Sequence, residues 1–159
     1  MRARERIVAD TNCLVSRLLL PSSVPGDAVR KAVDSGLLLV CEATMNELAD
    51  VLGRRKFDHY ITIADRQQFL RLLGRLAEFV PIVYPVRECR DPKDDKFLEV
   101  ALNGKADLIL TGDTDLLALN PWQGIAILSP ARYLKRRGDW QARRLDSAPR
   151  SSQECVNGP

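Results

Sequence analysis

RDPKDDKFLEVALNGKADLILTGDTDLLAL, residues 90–119, is the stretch whose reading decides the fold of this chain. Asp91, Asp94 and Asp95 crowd its start, Asp113 and Asp115 its end, and a short apolar run separates the two groups. Asp91 before Pro92 reads as a helix N-cap followed by proline at the first helical position, with Asp94 as the acid of the first turn. Asp95 then falls in the first turn or just past it. Phe97, Leu98, Ala101 and Leu102 recur with helical period and are expected to face a core. Asn103-Gly104 stops the helix. Asp107 to Thr111 is short, apolar and followed by Gly112, as in a buried strand. Asp113 and Asp115 therefore sit at the carboxyl end of a strand, where ligands bind in open α/β sheets.

Outward from this centre, the same alternation repeats. Ile7 to Ala9 reads as a strand closed by Asp10-Thr11-Asn12, so Asp10 is placed like Asp113. Aspartate, threonine and asparagine are also ordinary turn and cap residues. Pro21 to Gly26 reads as a turn and Asp27 to Asp34 as a helix. Leu37 to Cys41 is a second strand. Ala43 to Leu52 is a helix with Met45, Leu48, Ala49 and Leu52 on its apolar stripe. Glu47 lies off that stripe, either as a solvated helical glutamate or leaning over the edge of the sheet. Ile63 to Val80 carries a long helical pattern whose stripe, Phe69, Leu72, Leu73 and Leu76, is expected in the core. Pro81 to Tyr84 reads as the third strand, Ile125 to Leu128 as the fifth, and Ala131 to Arg136 as a last helix. Short apolar strands alternating with helices predict a single α/β domain over residues 1–137, a parallel sheet of about five strands with helices on both faces. After Gly138 the periodicity ends, and residues 138–159 are expected to form a flexible tail.

Bulk properties narrow the chemistry. A chain of 159 residues, 45% hydrophobic and 28% charged, suits one soluble domain. No apolar run reaches the length of a membrane span and no leader pattern precedes the first strand, so a cytoplasmic protein is expected. The four cysteines show no C-x-x-C spacing, and His59 is the only histidine. A zinc centre or a Ser-His triad has little material here. Neither a phosphate-cradling GxxxxGK[ST] loop nor GxGxxG is present. The net charge of +3 is weak evidence for a polyanionic partner, but basic residues cluster at Arg2–Arg6, Arg54–Lys56 and Arg132–Arg144 around an acidic middle. That distribution suits a nucleic acid held by its phosphates, or else a solvated surface.

Asp10, Glu47, Asp95 and Asp113 form the set expected in one pocket, with Asp115 nearby. Such carboxylates repel and take up protons unless a cation offsets them. Oxygen donors without histidine or cysteine select Mg²⁺ or Mn²⁺, ions that commonly act on phosphates. Phosphodiester hydrolysis is the reaction implied, with Thr11, Asn12 and Thr111 as hydrogen-bonding support.

These residues carry a resemblance. VADTNCLVS (8–16), TMNELADVL (44–52), DPKDDKFLEVAL (91–102), DLILTGDTDLL (107–117) and ILSPARYL (127–134) resemble, in this order and spacing, the segments of a PIN domain, a small metal-dependent nuclease fold. The subgroup resembled is that of VapC-type toxins of toxin–antitoxin systems. The resemblance spans about Arg6 to Leu134. It implies strand order 3-2-1-4-5 and assigns Asp10, Glu47, Asp95 and Asp113 as the four catalytic acids. The register favours Asp95 over its neighbour Asp94. Asp10, Asp95 and Asp113 are the implied metal ligands, and Asn12, Thr111 and Asp115 the supporting residues. It further implies an endoribonuclease, an RNA substrate, a homodimer and a cognate antitoxin protein that blocks the site. A non-catalytic RNA-binding PIN-like module and a structure-specific DNA nuclease are the alternatives. The first would be expected with depleted acids, the second with an insert for gripping branched DNA.

Overall fold

The computed structural model describes residues 4–136, so the expected tail, 138–159, lies outside the described residues. Five parallel strands form one sheet: β1 (Glu5–Ala9), β2 (Gly36–Val40), β3 (Glu78–Phe79), β4 (Leu108–Leu110) and β5 (Ala126–Leu128). Their order is β3-β2-β1-β4-β5, as the family resemblance implied. Ile7 pairs with Leu38 on one side and Leu108 on the other, and Leu110 with Leu128.

The central strands are apolar where both of their faces are covered, from Ile7 to Ala9 in β1 and throughout β2 and β4. Side chains alternate between the faces. Ile7, Ala9, Leu38, Leu108 and Leu110 point into one core, against α1 (Thr11–Leu19), α2 (Val24–Ser35), α3 (Glu42–Leu52), α4 (Ile63–Leu76) and α7 (Pro130–Lys135). Val8, Leu39, Ile109 and Ile127 point into the other, which is filled by Phe97, Leu98, Val100 and Ala101 of α5 (Asp95–Asn103), by Leu116 of α6 (Thr114–Leu117) and by Trp122. α5 thus crosses from β3 to β4 on the face opposite α1 to α4. The chain leaves β1 toward β2 on one side, and β4 is added on the other. The carboxyl ends of β1 and β4 therefore flank the point where strand order reverses, the usual ligand crevice of such sheets.

Three elements differ from their sequence reading. The third strand is Glu78–Phe79, pairing with Leu39 and Val40, and not Pro81 to Tyr84. Pro81 has no N–H to donate, and the N–H groups of Val83 and Tyr84 go to Oδ1 of Asn103, both at 2.9 Å. α2 begins at Val24 inside the expected turn, because Ser23 accepts from Gly26 N and Pro25 sits in the first helical turn. The stripe of α4 is divided: Leu73 is buried, while Leu72 and Leu76 remain 52% and 45% exposed. Helix α4 packs on the domain with a narrower face than its periodicity suggests. No helix among the described residues is long and apolar enough to cross a membrane.

Candidate active site

Asp10 is the first residue after β1. Its backbone N–H donates to Leu110 O at 3.0 Å, which continues the pairing of Ala9 with Leu110. This register places Asp10 beside Thr111. One carboxylate oxygen of Asp10 caps α1, accepting from Cys13 N at 2.8 Å. The other accepts the Thr111 hydroxyl at 2.5 Å. Thr111 is fully buried, and its Oγ1 also accepts from Asp113 N at 3.0 Å. One threonine thus ties the two strand-end aspartates together. Asp113 in turn caps α6 by accepting Asp115 N at 2.8 Å.

A cavity of about 180 Å³ opens here, lined by Asp10, Thr11, Asn12, Glu47, Arg54, Asp94 and Asp113, with Val51, Phe97 and Leu116 as its apolar wall. Glu47 leans into it from α3, so the solvated-helix reading does not apply. Its two oxygens are both engaged: the Thr11 hydroxyl donates to Oε2, and Lys96 Nζ lies 2.9 Å from Oε1. Two expected residues stand elsewhere. Asp115 is exposed and does not line the cavity; its contribution is the backbone N–H given to Asp113.

The acidic helix is out by one residue. Asp94 lines the cavity and Asp95 does not. Asp95 is buried, and its Oδ1 accepts the N–H groups of Glu88 at 3.1 Å and Cys89 at 2.8 Å, which pins the preceding loop. The reason lies in the helix start. Pro92–Asp94 is a 3₁₀ turn, and the α-helix begins only at Asp95. A 3₁₀ turn advances ~120° per residue against ~100° in an α-helix, so a register counted from Pro92 drifts by most of a side chain's width.

The electrostatics distinguish the two neighbours. Partial burial and the Asp113 carboxylate beside it push Asp94 up to about 6, with Asp91 adding to the effect and Lys96 opposing it. Burial alone would raise Asp95 too, but the hydrogen bonds from Cys89 and the Glu88 N–H hold it below its ordinary value. Neither nearby thiol offers a nucleophile. Burial and then Asp10 push Cys13 far up, and burial and then Asp95 push Cys89 up to about 12.

Among the described residues, no group of three or more His, Cys, Asp or Glu side chains is placed to hold a metal ion by itself. The donors fit a different arrangement. Mg²⁺ and Mn²⁺ are commonly held through one or two carboxylates, with water filling the other positions. The cavity offers Asp10, Asp94 and Asp113 around a space that admits water, and Asp94, raised first by burial and then by the Asp113 carboxylate, is a group whose ionised form a cation would favour.

Arg54 lines the cavity, and Lys96, which does not line it, reaches Glu47 on its wall; neither is placed at the site by the sequence reading. In the sequence Arg54 stands out only as a member of the basic cluster Arg54–Lys56. Lys96 had one signal: an ammonium in the first turn of a helix opposes the helix dipole, which asks for a specific partner. Among the described residues, Arg54 is the only arginine or lysine that lines the cavity. Arg6 pairs with Glu78, and Arg136 with Glu5 at 2.5 Å, at the amino-terminal end of the sheet. These are structural pairs of the opposite edge, while Arg2, Arg137, Arg143 and Arg144 lie outside the described residues.

Known proteins share this framework. An uncharacterized protein of Methanocaldococcus jannaschii, MJ1680, is 28% identical over 118 residues, which cover 72% of this chain and 74% of that one. Among solved structures, VapBC2 from Rickettsia felis, bound to a DNA fragment from its promoter, superposes with a TM-score of 0.54 at 9% identity, covering 78% of this chain and 98% of that one. PAE2754 from Pyrobaculum aerophilum superposes with a TM-score of 0.51 at 17% identity, covering 83% and 91%. At these identities the superpositions speak to the fold. The sequence model of the PIN domain matches residues 6–115, from β1 into α6, a span that takes in Asp10, Glu47, Asp94 and Asp113. The chain belongs to the PIN domain family.

Proposed function

We propose that the protein is a metal-dependent endoribonuclease that hydrolyses RNA phosphodiester bonds at the Asp10–Asp94–Asp113 cavity. The observation that carries the reading is the surplus of carboxylate at the strand-order switch point: Asp94 is pushed up to about 6 by partial burial and the neighbouring Asp113, with Asp10 on the same wall. Bound there, Mg²⁺ or Mn²⁺ would lower the pKa of a water and neutralise charge on a phosphate. The side chains have separate tasks. Thr111 and the Cys13 N–H fix both oxygens of Asp10, so it is preorganised without having to be ordered by the substrate. Asp94 and Asp113 supply the negative charge that holds the cation. Glu47 organises the far wall through Thr11 and Lys96. Asn12 is exposed at the cavity and offers an amide to a phosphate or sugar oxygen, and Arg54 offers a guanidinium to a phosphate.

RNA as the substrate, a homodimeric assembly, a cognate antitoxin that covers the cavity, and a cytoplasmic site of action follow from the resemblance to VapC-type toxins and are part of the same proposal. The test is cleavage by purified protein of single-stranded RNA, structured RNA and single-stranded DNA, with Mn²⁺ or with chelator, beside Asp10→Asn. Metal-dependent cutting of RNA that Asp10→Asn lacks is the expected result. Cutting of DNA in preference to RNA moves the substrate class. RNA binding without cutting under any metal contradicts the enzymatic reading and favours a binding module.

A further inference from the structure

The cavity has two chemically different halves. In one, Asp10, Asp94 and Asp113 face solvent-accessible space, and no cation of the described residues forms an ion pair with them. In the other, Glu47 is already matched. Lys96 Nζ stands 2.9 Å from Oε1, with the lysine side chain 19% exposed and the glutamate 28%. The remaining oxygen, Oε2, takes the hydroxyl of Thr11. Lys96 is held at the first turn of α5, where the helix dipole disfavours a positive charge, and most of its side chain is out of water. Both costs are offset by Glu47, by the nearby Asp94 carboxylate and by the Phe97 ring, whose centroid is 5.6 Å from Lys96 Nζ. A lysine kept in such a position against two opposing terms is a built part of the site and not a stray surface charge.

Two-metal phosphodiesterase centres place their ions about 3.5–4 Å apart, each with its own share of carboxylate. With Asp10, Asp94 and Asp113 serving one ion, Glu47 is the remaining carboxylate of the cavity wall on which a second could rest. We propose that the Lys96 ammonium stands in for that second cation. It occupies the free oxygen of Glu47 and places a fixed positive charge where a second divalent ion would have to sit. The site then binds a single divalent ion, and Lys96 acts as a positioning residue that keeps Glu47 out of the ligand set. This rests on the metal-dependent reading above and concerns only how many ions that site takes.

The test is a count of bound Mn²⁺ by electron paramagnetic resonance titration of the full-length protein. Wild type, Lys96→Met, Lys96→Arg and Asp94→Asn are compared, with thermal melts to verify folding. One ion in wild type and Lys96→Arg, and a second in Lys96→Met, is the expected result. Lys96→Gln, which removes the charge and keeps a hydrogen-bond donor, is read in the same way if Lys96→Met does not fold. Two ions in wild type overturn the proposal whatever the variants do. A single ion in both the wild type and the folded charge-removed variant also overturns it, and in either case an ion lost in Asp94→Asn leaves the metal reading intact. No bound ion in wild type, or an ion that Asp94→Asn retains, removes the metal reading at this cavity and this proposal with it.

Discussion

The Thr111 hydroxyl, at the end of β4, donates to Asp10 Oδ2, at the end of β1, at 2.5 Å. The contact follows from the parallel register that pairs Ala9 with Leu110 and leaves the next residue of each strand side by side. Because Thr111 is fully buried and also accepts Asp113 N, it sets the spacing of two acids that come from separate strands. Replacing it by valine keeps the shape and removes both bonds. Thr111→Val is expected to lose about 1–3 kcal/mol of stability from the unsatisfied Asp10 oxygen, and about tenfold to a hundredfold in activity or metal affinity, as for other residues that orient a ligand. Thr111→Ser is expected to recover most of the activity. Thermal melts and cleavage rates measure the two effects separately.

The neighbours Asp94 and Asp95 are expected to respond oppositely in stability. Asp95 sits below its unfolded value, so its contribution is present above about pH 4 and is lost as pH falls through the folded value. Asp95→Ala orphans the N–H groups of Glu88 and Cys89, for a loss of about 1–3 kcal/mol at neutral pH. Asp94 sits above its unfolded value, so without a cation its ionisation lowers stability as pH rises from about 4 to about 6. Metal-free Asp94→Asn is therefore expected to melt at or above the wild-type temperature at pH 7. Added Mn²⁺ is expected to raise the melting temperature of the wild type and leave that of Asp94→Asn unchanged. Melting curves at several pH values, with chelator and with Mn²⁺, check each sign.

Arg54 lines the acidic cavity and, among the described residues, forms no ion pair. A guanidinium left in this position suits a phosphate of the bound strand. Arg54→Ala is expected to weaken RNA binding with little change in turnover, and to reduce the slope of log affinity against log salt by about 0.7, the share of one phosphate contact on a single strand. Binding measured across a salt series, alongside the KM and kcat of cleavage, separates this from a loss of fold.

Four of the five strands were legible because each carries a short apolar run closed by turn residues, and burial on both faces of a parallel sheet demands that composition. Asp10 and Asp113 were legible for the same reason: both end a strand at the carboxyl edge. The third strand was not, because Glu78 and Phe79 are only a two-residue pair exposed at the sheet's edge, without an apolar run, whereas the more apolar Ile82 to Tyr84 lies in a loop held by Asn103. The choice between Asp94 and Asp95 was lost in a single 3₁₀ turn, whose rotation no residue type announces. Lys96 is not legible because an ion pair between residues far apart in the chain leaves no periodic trace. Only its unfavourable place in the first helical turn marked it.

The most direct test of the central claim is Mn²⁺-dependent RNA cleavage by wild type, Asp94→Asn and Asp95→Asn, measured side by side with folding verified for each. The account predicts that Asp94→Asn loses metal-dependent cleavage while remaining folded, and that folded Asp95→Asn keeps most of it. Full activity in Asp94→Asn, together with its loss in folded Asp95→Asn, would contradict the account and move the metal-binding acid to the residue that pins the loop.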